Sequence, residues 1–245
     1  MNAVASAPAA PQVSGPMRAR RRCANFLIKD CGLSRLRNSR VLRVIRAIFD
    51  EIDLQYIRDS NPCRSVQSRA ELYRVAHEVC IGGEPIDYLE FGVFKGESMR
   101  QWLDLNRHPR SRFFGFDSFE GLPEDWRPGQ AKGHFDVGGV VPVLDDSRVR
   151  FVRGWFEDTV PRFARAFSCD NRLVIHIDAD LYSSTMLALI HLGPFMQKGT
   201  LLIFDEFYDR EHEFKALMDW KRIYRKEFYV VAQMENFAKV CLQLA

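Results

Sequence analysis

The chain has 245 residues, of which 47% are hydrophobic and 27% charged, so it is long enough to bury a core without disulfide or metal staples. The net charge is +3, but the first 22 residues hold four arginines and no acid, which leaves −1 for the rest and argues against a nucleic-acid partner. No apolar run approaches the ~20 residues that a membrane-spanning helix needs, so no membrane span is expected.

Six cysteines are dispersed along the chain without a Cys-x-x-Cys pair, at positions Cys23, Cys31, Cys63, Cys80, Cys169 and Cys241. This spacing suits neither a disulfide framework nor a zinc site, and it favours a reducing compartment. A globular protein of the cytoplasm is therefore expected.

The N-terminal third divides into two predicted parts. Residues 1–22 begin with an Ala-, Pro- and Ser-rich stretch and end in the arginines, which indicates a disordered basic tail, with an organellar transit peptide as the alternative. Residues 23–85 are predicted to be a helical region. Apolar residues recur at helical spacing over 41–52, and Ser68 with Glu71 forms a capping box for a further helix.

From residue 86 onward, strand and helix patterns alternate. Strands are predicted at 86–93, 112–116, 149–152, 172–177 and 200–204, and helices at 97–105, 158–167, 184–195 and 211–225. Residues 228–234 and 237–244 indicate a closing β-hairpin that turns at Glu235 and Asn236. The alternation predicts a mostly parallel sheet with helices on both faces, which binds ligands at the carboxyl ends of its strands.

The first predicted strand ends in a glycine-containing turn. Gly92 and Gly96 allow the backbone to approach a ligand closely, and Glu90 lies two residues before the first glycine. A dinucleotide fingerprint is missing, and the carboxylate suits an amine-bearing ligand better than a pyrophosphate. An ordinary strand-to-helix turn is the alternative.

Asp117 ends the second predicted strand, where an acid is placed to accept hydrogen bonds from a ribose diol or simply to cap the next turn. The loop that follows, residues 119–147, is rich in glycine and proline and carries Trp126, His134 and Phe135. Its length and aromatic content favour a lid over a substrate.

Acidic residues follow two further predicted strands, at Asp178 and Asp180 after one and at Asp205 and Glu206 after the other. Four carboxylates at one sheet edge repel one another unless a cation is bound, and oxygen ligands favour Mg²⁺ or a similar ion. Helix capping explains one acid per strand end but not two. His176 is interpreted as a packed core histidine.

These motifs together resemble the macrocin O-methyltransferase family, metal-dependent class I S-adenosylmethionine methyltransferases that act on antibiotic sugars. The resemblance covers about residues 86–225 and rests on five segments in order: 88–98, 115–123, 154–161, 178–185 and 199–207. It implies a Rossmann-like α/β fold, in which a seven-stranded, mostly parallel sheet ends in an antiparallel hairpin and N-terminal helices precede it. The methyltransferase domain would span 86–245, with 119–147 as the lid.

The resemblance also implies roles for single residues. The S-adenosylmethionine site would comprise Glu90, Phe91, Gly92, Ser98, Asp117, Ser118 and Trp155. The metal ligands would be Asp178, Asp205 and Glu206, with Mg²⁺ or a similar divalent cation, and Asp180 would be the general base. The family usually has Asp-Asp-Tyr where this chain has Asp205-Glu206-Phe207, which makes Glu206 the least certain ligand.

The expected acceptor is a hydroxylated small molecule, a sugar or a glycoside, whose identity the sequence leaves open. A homo-oligomer is one alternative for the assembly state. Two other functions remain as alternatives. A non-catalytic S-adenosylmethionine-binding protein would keep the cofactor pocket without the metal. A metal-dependent glycosyltransferase would use Asp178-Ala179-Asp180 as an Asp-x-Asp motif.

Overall fold

The computed structural model describes residues 63–245. The chain divides into two units, 1–57 and 58–245, and the described residues all belong to the second. The predictions of a disordered basic tail and of a helix over 41–52 concern residues outside this range. So does most of the predicted N-terminal helical region.

Eight strands and five α-helices make up the described fold. The strands are β1 (Arg64–Val66), β2 (Ile86–Phe91), β3 (Arg112–Asp117), β4 (Val149–Arg153), β5 (Arg172–Ile177), β6 (Leu201–Phe204), β7 (Phe228–Met234) and β8 (Lys239–Leu244). The helices are α1 (Arg69–Cys80), α2 (Glu97–Leu105), α3 (Phe156–Ala166), α4 (Tyr182–Leu192) and α5 (Glu213–Tyr224), and a 3₁₀ turn covers Gly193–Phe195.

The strands form one mixed sheet in the order β1-β7-β8-β6-β5-β2-β3-β4. Every pairing is parallel except those of β8, which runs antiparallel to both β6 and β7. The predicted α/β fold with its C-terminal hairpin is confirmed. The sheet has eight strands rather than seven, because β1 adds an edge strand beside β7 from within the region predicted to be helical.

Both faces of the sheet are covered, as its buried central strands require. Every residue of β2 is buried. On one face, Tyr88 packs against Trp102 of α2, with ring centroids 5.2 Å apart. On the other, Phe91 stacks on Phe116 of β3 at 4.7 Å, and Phe116 meets Phe163 of α3 edge-on at 4.8 Å.

Helix α1 begins as the capping box predicts. The Ser68 hydroxyl accepts a hydrogen bond from the Glu71 amide at 3.2 Å. The Glu71 carboxylate reaches back to the amide of Gln67 at 2.9 Å. This cap fixes the first turn of α1, where Arg69 extends toward the carboxyl edge of the sheet.

Candidate active site

Strand order reverses between β2 and β5, and a pocket lined by described residues lies at the carboxyl ends of these strands. Its volume is about 440 Å³. Most of the candidate residues line it, namely Gly92, Asp117, Ser118, Trp155, Asp178, Asp180, Asp205 and Glu206. The chain therefore brings both halves of the predicted site, the cofactor residues and the acids, into one cavity.

Gly92 allows β2 and β5 to approach closely at the point of reversal. Its φ is +91°, and a Cβ at this position would collide with the carbonyl oxygen of Asp178. The strand ends are tied by the Asp178 amide, which donates to Phe91 O at 2.9 Å. A glycine is thus required here both for its backbone conformation and for the missing side chain.

Glu90 is fully buried behind the pocket rather than on its wall. The Tyr88 hydroxyl donates to its Oε2 at 3.2 Å, while its Oε1 has no hydrogen-bond partner among the described residues. Burial raises the pKa of Glu90 to about 8, and the hydrogen bond from Tyr88 offsets part of that rise. A buried acceptor without a donor fits a ligand that brings its own cation or N–H group.

Two other predicted cofactor residues do not line the pocket. The ring of Phe91 lies in the core between Phe116 and Phe156. Ser98 is buried in the first turn of α2, near Glu90. Neither side chain therefore faces the cavity.

Asp117 makes the capping contact that was one of its two expected roles. Its Oδ1 accepts from the Phe119 amide at 2.7 Å, and its Oδ2 accepts from the amides of Val93 and Phe94 at 2.8 Å each. The carboxylate thus joins the turns after β2 and β3. It also lines the pocket, so the capping role leaves its expected ribose contact open as a prediction.

The acids after β5 and β6 meet at the pocket floor. Carboxylate oxygens of Asp178 and Asp205 and a ring nitrogen of His176 all lie within 4.8 Å of one another. Burial raises the pKa of Asp178 well above its ordinary value, and the carboxylates of Asp205 and Asp180 raise it further. Such a group of oxygen and nitrogen donors has the composition of a divalent-cation site.

Asp205 is already neutralised by two cations. Arg69 Nη2 lies 2.5 Å and Lys239 Nζ 2.6 Å from its Oδ2. Neither cation was identified from the sequence. Lys239 could have been, because antiparallel pairing of Val240 with Phe204 places the start of β8 beside the end of β6.

Asp180 and Glu206 lie next to this group. Asp180 is 7% exposed and adopts a left-handed φ of +60°. Burial, followed by the nearby charge of Glu206, raises its pKa to about 7. Glu206 does not belong to the group formed by His176, Asp178 and Asp205. Its Oε2 is buried and has no hydrogen-bond partner among the described residues.

His176 is buried in the core as predicted, among aromatic hydroxyls. Its Nδ1 lies 2.9 Å from the Tyr88 hydroxyl, and its Nε2 lies 3.4 Å from that of Tyr73. Burial lowers its pKa to about 4, so the ring is neutral at pH 7. Its closeness to Asp178 and Asp205 was not expected. Side chains two positions apart along a strand point to the same face, so the spacing of His176 and Asp178 is the sequence signal for their closeness.

Glu213 was also missed by the sequence analysis. It begins α5, is fully buried, and accepts hydrogen bonds from the amides of Ala179, Asp180 and Glu206. Nothing in the local pattern distinguishes it from an ordinary acid in the first turn of a helix.

The predicted lid, residues 119–147, has no helix or strand but is anchored over the pocket. Leu122 and Trp126 form a small buried cluster with Leu181. Trp126 Nε1 donates to Asp209 Oδ2 at 3.2 Å, and Ser183 Oγ donates to Glu124 Oε1 at 2.8 Å. The loop therefore forms one wall of the cavity.

Residues 66–242 match the Macrocin-O-methyltransferase (TylF) family, and this match spans most of the chain. The chain belongs to the macrocin O-methyltransferase family. The resemblance inferred from the motifs is thereby confirmed, and the match begins within β1, upstream of the predicted domain start at residue 86.

Three curated relatives carry the name of an O-methyltransferase. The chain is 34% identical to 8-demethyl-8-(2,3-dimethoxy-alpha-L-rhamnosyl)-tetracenomycin-C 4'-O-methyltransferase of Streptomyces olivaceus, with 53% of this chain and 56% of the relative covered. It is 30% identical to demethyldecarbamoylnovobiocin O-methyltransferase of Streptomyces niveus (62% and 66% covered). It is 36% identical to mycinamicin III 3''-O-methyltransferase of Micromonospora griseorubida (51% and 56% covered). The matched segments thus span just over half to about two thirds of these relatives.

Two solved structures share the fold. The O-methyltransferase NovP superposes with a TM-score of 0.55 at 21% identity, covering 80% of this chain and 98% of NovP. The calicheamicin methyltransferase CalS11 gives a TM-score of 0.55 at 21% identity, covering 94% and 93%. Within residues 63–245, no helix is long and apolar enough to cross a bilayer.

Proposed function

We propose that this chain transfers the methyl group of S-adenosylmethionine to a hydroxyl of a sugar or glycosylated natural product, with the help of Mg²⁺ or a similar cation. The main observation is that Asp117, Asp178 and Asp180 all line one cavity, at the carboxyl ends of β3 and β5. Family membership and the three glycoside-modifying relatives support this proposal. The cytoplasm is the compartment in which we expect the reaction.

The residues at one end of the cavity fit the cofactor. Glu90 offers a buried carboxylate oxygen without a partner, which suits the ammonium group of the methionine portion. Asp117 and Ser118 line the wall where a ribose would lie, and Trp155 adds aromatic surface. When bound, the cofactor would supply an electrophilic methyl group on sulfur.

The residues at the other end fit a divalent cation. Among the described residues, six acids but only three bases line the cavity, so the acids remain in excess even after Arg69 and Lys239 pair with Asp205. Asp178, Asp205 and Glu206 would hold the cation, with His176 close by. When bound, the cation would lower the pKa of the acceptor hydroxyl.

Asp180 would accept the proton of that hydroxyl. It lies two residues further along the chain than Asp178, lines the cavity, and is buried. Its left-handed backbone directs the chain away from β5 before α4 begins. The wall formed by the loop 119–147 would exclude water from the reacting groups and align the acceptor oxygen with the methyl group.

Turnover in defined mixtures tests this proposal. The protein should convert S-adenosylmethionine to S-adenosylhomocysteine with a glycosylated acceptor and Mg²⁺, and EDTA should abolish the conversion. Binding of S-adenosylmethionine without turnover, over a broad screen of glycosides and nucleotide sugars, would favour the non-catalytic alternative. Transfer of a sugar from a nucleotide sugar would favour the glycosyltransferase alternative.

A further inference from the structure

Glu213 links the two loops that carry the acids of the site. Its Oε1 accepts from the amides of Ala179 and Asp180 at 3.1 and 3.2 Å, in the turn after β5. Its Oε2 accepts from the amide of Glu206 at 3.0 Å, in the turn after β6. One carboxylate thus bridges two neighbouring strand ends through main-chain atoms.

This bridge acts on the backbone of the acids themselves. The amide of Asp180 belongs to a residue with a left-handed φ of +60°, a conformation that costs free energy for a side chain other than glycine. The neighbouring His212 holds the next turn, because its Nδ1 accepts from the Tyr182 amide at 3.2 Å. The start of α5 therefore fixes the chain on both sides of Leu181.

A buried carboxylate without a cation partner is costly unless several donors satisfy it. Glu213 is fully buried, and three amides of the acid-bearing loops donate hydrogen bonds to its carboxylate. Burial raises the pKa of Glu213 well above its ordinary value, the charges of Asp180 and Asp205 raise it further, and the bonds from the amides of Glu206 and Ala179 oppose that rise. An apolar side chain at position 213 would fill the same space without the cost of burying a carboxylate.

We infer that Glu213 is a positioning residue that sets the spacing between Asp180 and Glu206, and through them between the general base and the metal site. The catalytic consequence of this spacing rests on the proposed function. The spacing itself is a property of the unliganded protein and can be measured without turnover.

The two carboxylate oxygens allow the two loops to be separated experimentally. In Glu213→Gln the amide oxygen can keep the bonds to Ala179 and Asp180, while its NH₂ group faces the N–H of Glu206 and repels it. In Glu213→Ala all three bonds are lost. Glu211→Gln makes the same chemical change at an exposed residue two positions away and is the matched control.

Hydrogen exchange of the intact protein is the first measurement. Glu213→Gln should speed exchange of the Glu206 amide about tenfold and leave those of Ala179 and Asp180 within about twofold, whereas Glu213→Ala should speed all three. Glu211→Gln should change none of them. Equal rates in all variants, or a uniform rise that includes the amides of β2, would overturn the inference.

Calorimetric titration with Mg²⁺ alone is the second measurement. Glu213→Gln should weaken Mg²⁺ binding about tenfold while S-adenosylmethionine affinity stays within about twofold. The effect should vanish in a Glu206→Gln background, because residues that act through one another are not additive. Additive effects would overturn the inference. If the unaltered protein binds no Mg²⁺, the metal part of the proposed function fails, and the exchange rates still decide the role of Glu213.

Discussion

Burial dominates the chemistry of Glu90. Its carboxyl has a pKa of about 8 in the folded chain against an ordinary 4.5, and one oxygen lacks a partner within residues 63–245. Because the folded pKa is raised, the group adds stability that is fully present below about pH 4.5 and is lost as the pH rises through about 8. At pH 7 the free protein therefore holds a proton on Glu90.

Cofactor binding should release this proton. An ammonium group next to Glu90 favours the ionised form, so about one proton should leave when S-adenosylmethionine binds at pH 7. Calorimetry in two buffers of different ionisation enthalpy measures the number released. Glu90→Gln should abolish the release and weaken binding by about 1.5–3 kcal/mol, the value of a hydrogen bond to a charged group. Proton-neutral binding by the unaltered protein would contradict this role.

Asp178 and Asp180 should respond differently to the same substitution. Asp178→Asn should lower Mg²⁺ affinity, and excess Mg²⁺ should partly restore turnover, because Asp178 shares the floor of the cavity with Asp205 and His176. Asp180→Asn should leave cofactor and metal binding nearly intact but reduce kcat by about 10²–10⁴-fold, the usual contribution of a general base. Mg²⁺ titrations of turnover check both, and rescue of Asp180→Asn instead of Asp178→Asn would exchange the two roles.

At the scale of elements, side-chain contacts hold the loop 119–147 over the cavity. Trp126 supplies two of them, its packing with Leu122 and Leu181 and its hydrogen bond to Asp209. Backbone hydrogen bonds close turns inside the loop, such as that from the Leu122 amide to His134 O at 2.9 Å, but the loop forms no strand of the sheet. Its opening is therefore expected to cost less free energy than the opening of a sheet strand. The sequence predicts a lid from its length and aromatic residues; the structure shows the loop as a wall of the cavity, and its opening stays a prediction.

Trp126→Phe should loosen this loop without unfolding the protein. The ring can still pack, but the hydrogen bond to Asp209 is lost, which corresponds to about 0.5–1.5 kcal/mol. Trypsin should then cut faster after Lys132 in the free protein, while the Arg127–Pro128 bond resists trypsin. The acceptor KM should rise several-fold while S-adenosylmethionine affinity changes little. Unchanged cleavage would identify the loop as a fixed structural element.

Elements with a strong apolar pattern could be predicted from the sequence, and those without one could not. Strands β5 and β7 have their predicted boundaries because their apolar runs end at charged or turn residues. Strand β1 was missed, since three residues with the burial pattern exposed–exposed–buried carry no periodicity. The same limit holds at the site. The ends of β5 and β6 reveal Asp178 and Asp205. Arg69 and Glu213 contact the acid-bearing residues from helix starts that no strand pattern connects to the site.

At the scale of the whole molecule, the excess of acids in the cavity should make folding stability depend on divalent cations. The acids after β5 and β6 repel one another in the folded protein and separate on unfolding, so a cation that binds only the folded form stabilises it. At a Mg²⁺ concentration about 100 times its Kd, the gain is about 2.7 kcal/mol. For a chain of this size, that corresponds to a rise in Tm of roughly 5–11 °C.

Thermal unfolding in Mg²⁺ and in EDTA measures this dependence directly. Asp178→Asn should unfold at a higher temperature than the unaltered protein in EDTA, because one repelling charge is gone, and it should gain less from Mg²⁺. Glu211→Gln, an exposed change outside the cavity, should behave like the unaltered protein in both conditions. A Tm that is the same in Mg²⁺ and EDTA, together with full methyl transfer in EDTA, would show that Arg69 and Lys239 neutralise the acids sufficiently. The cation would then have no part in the reaction.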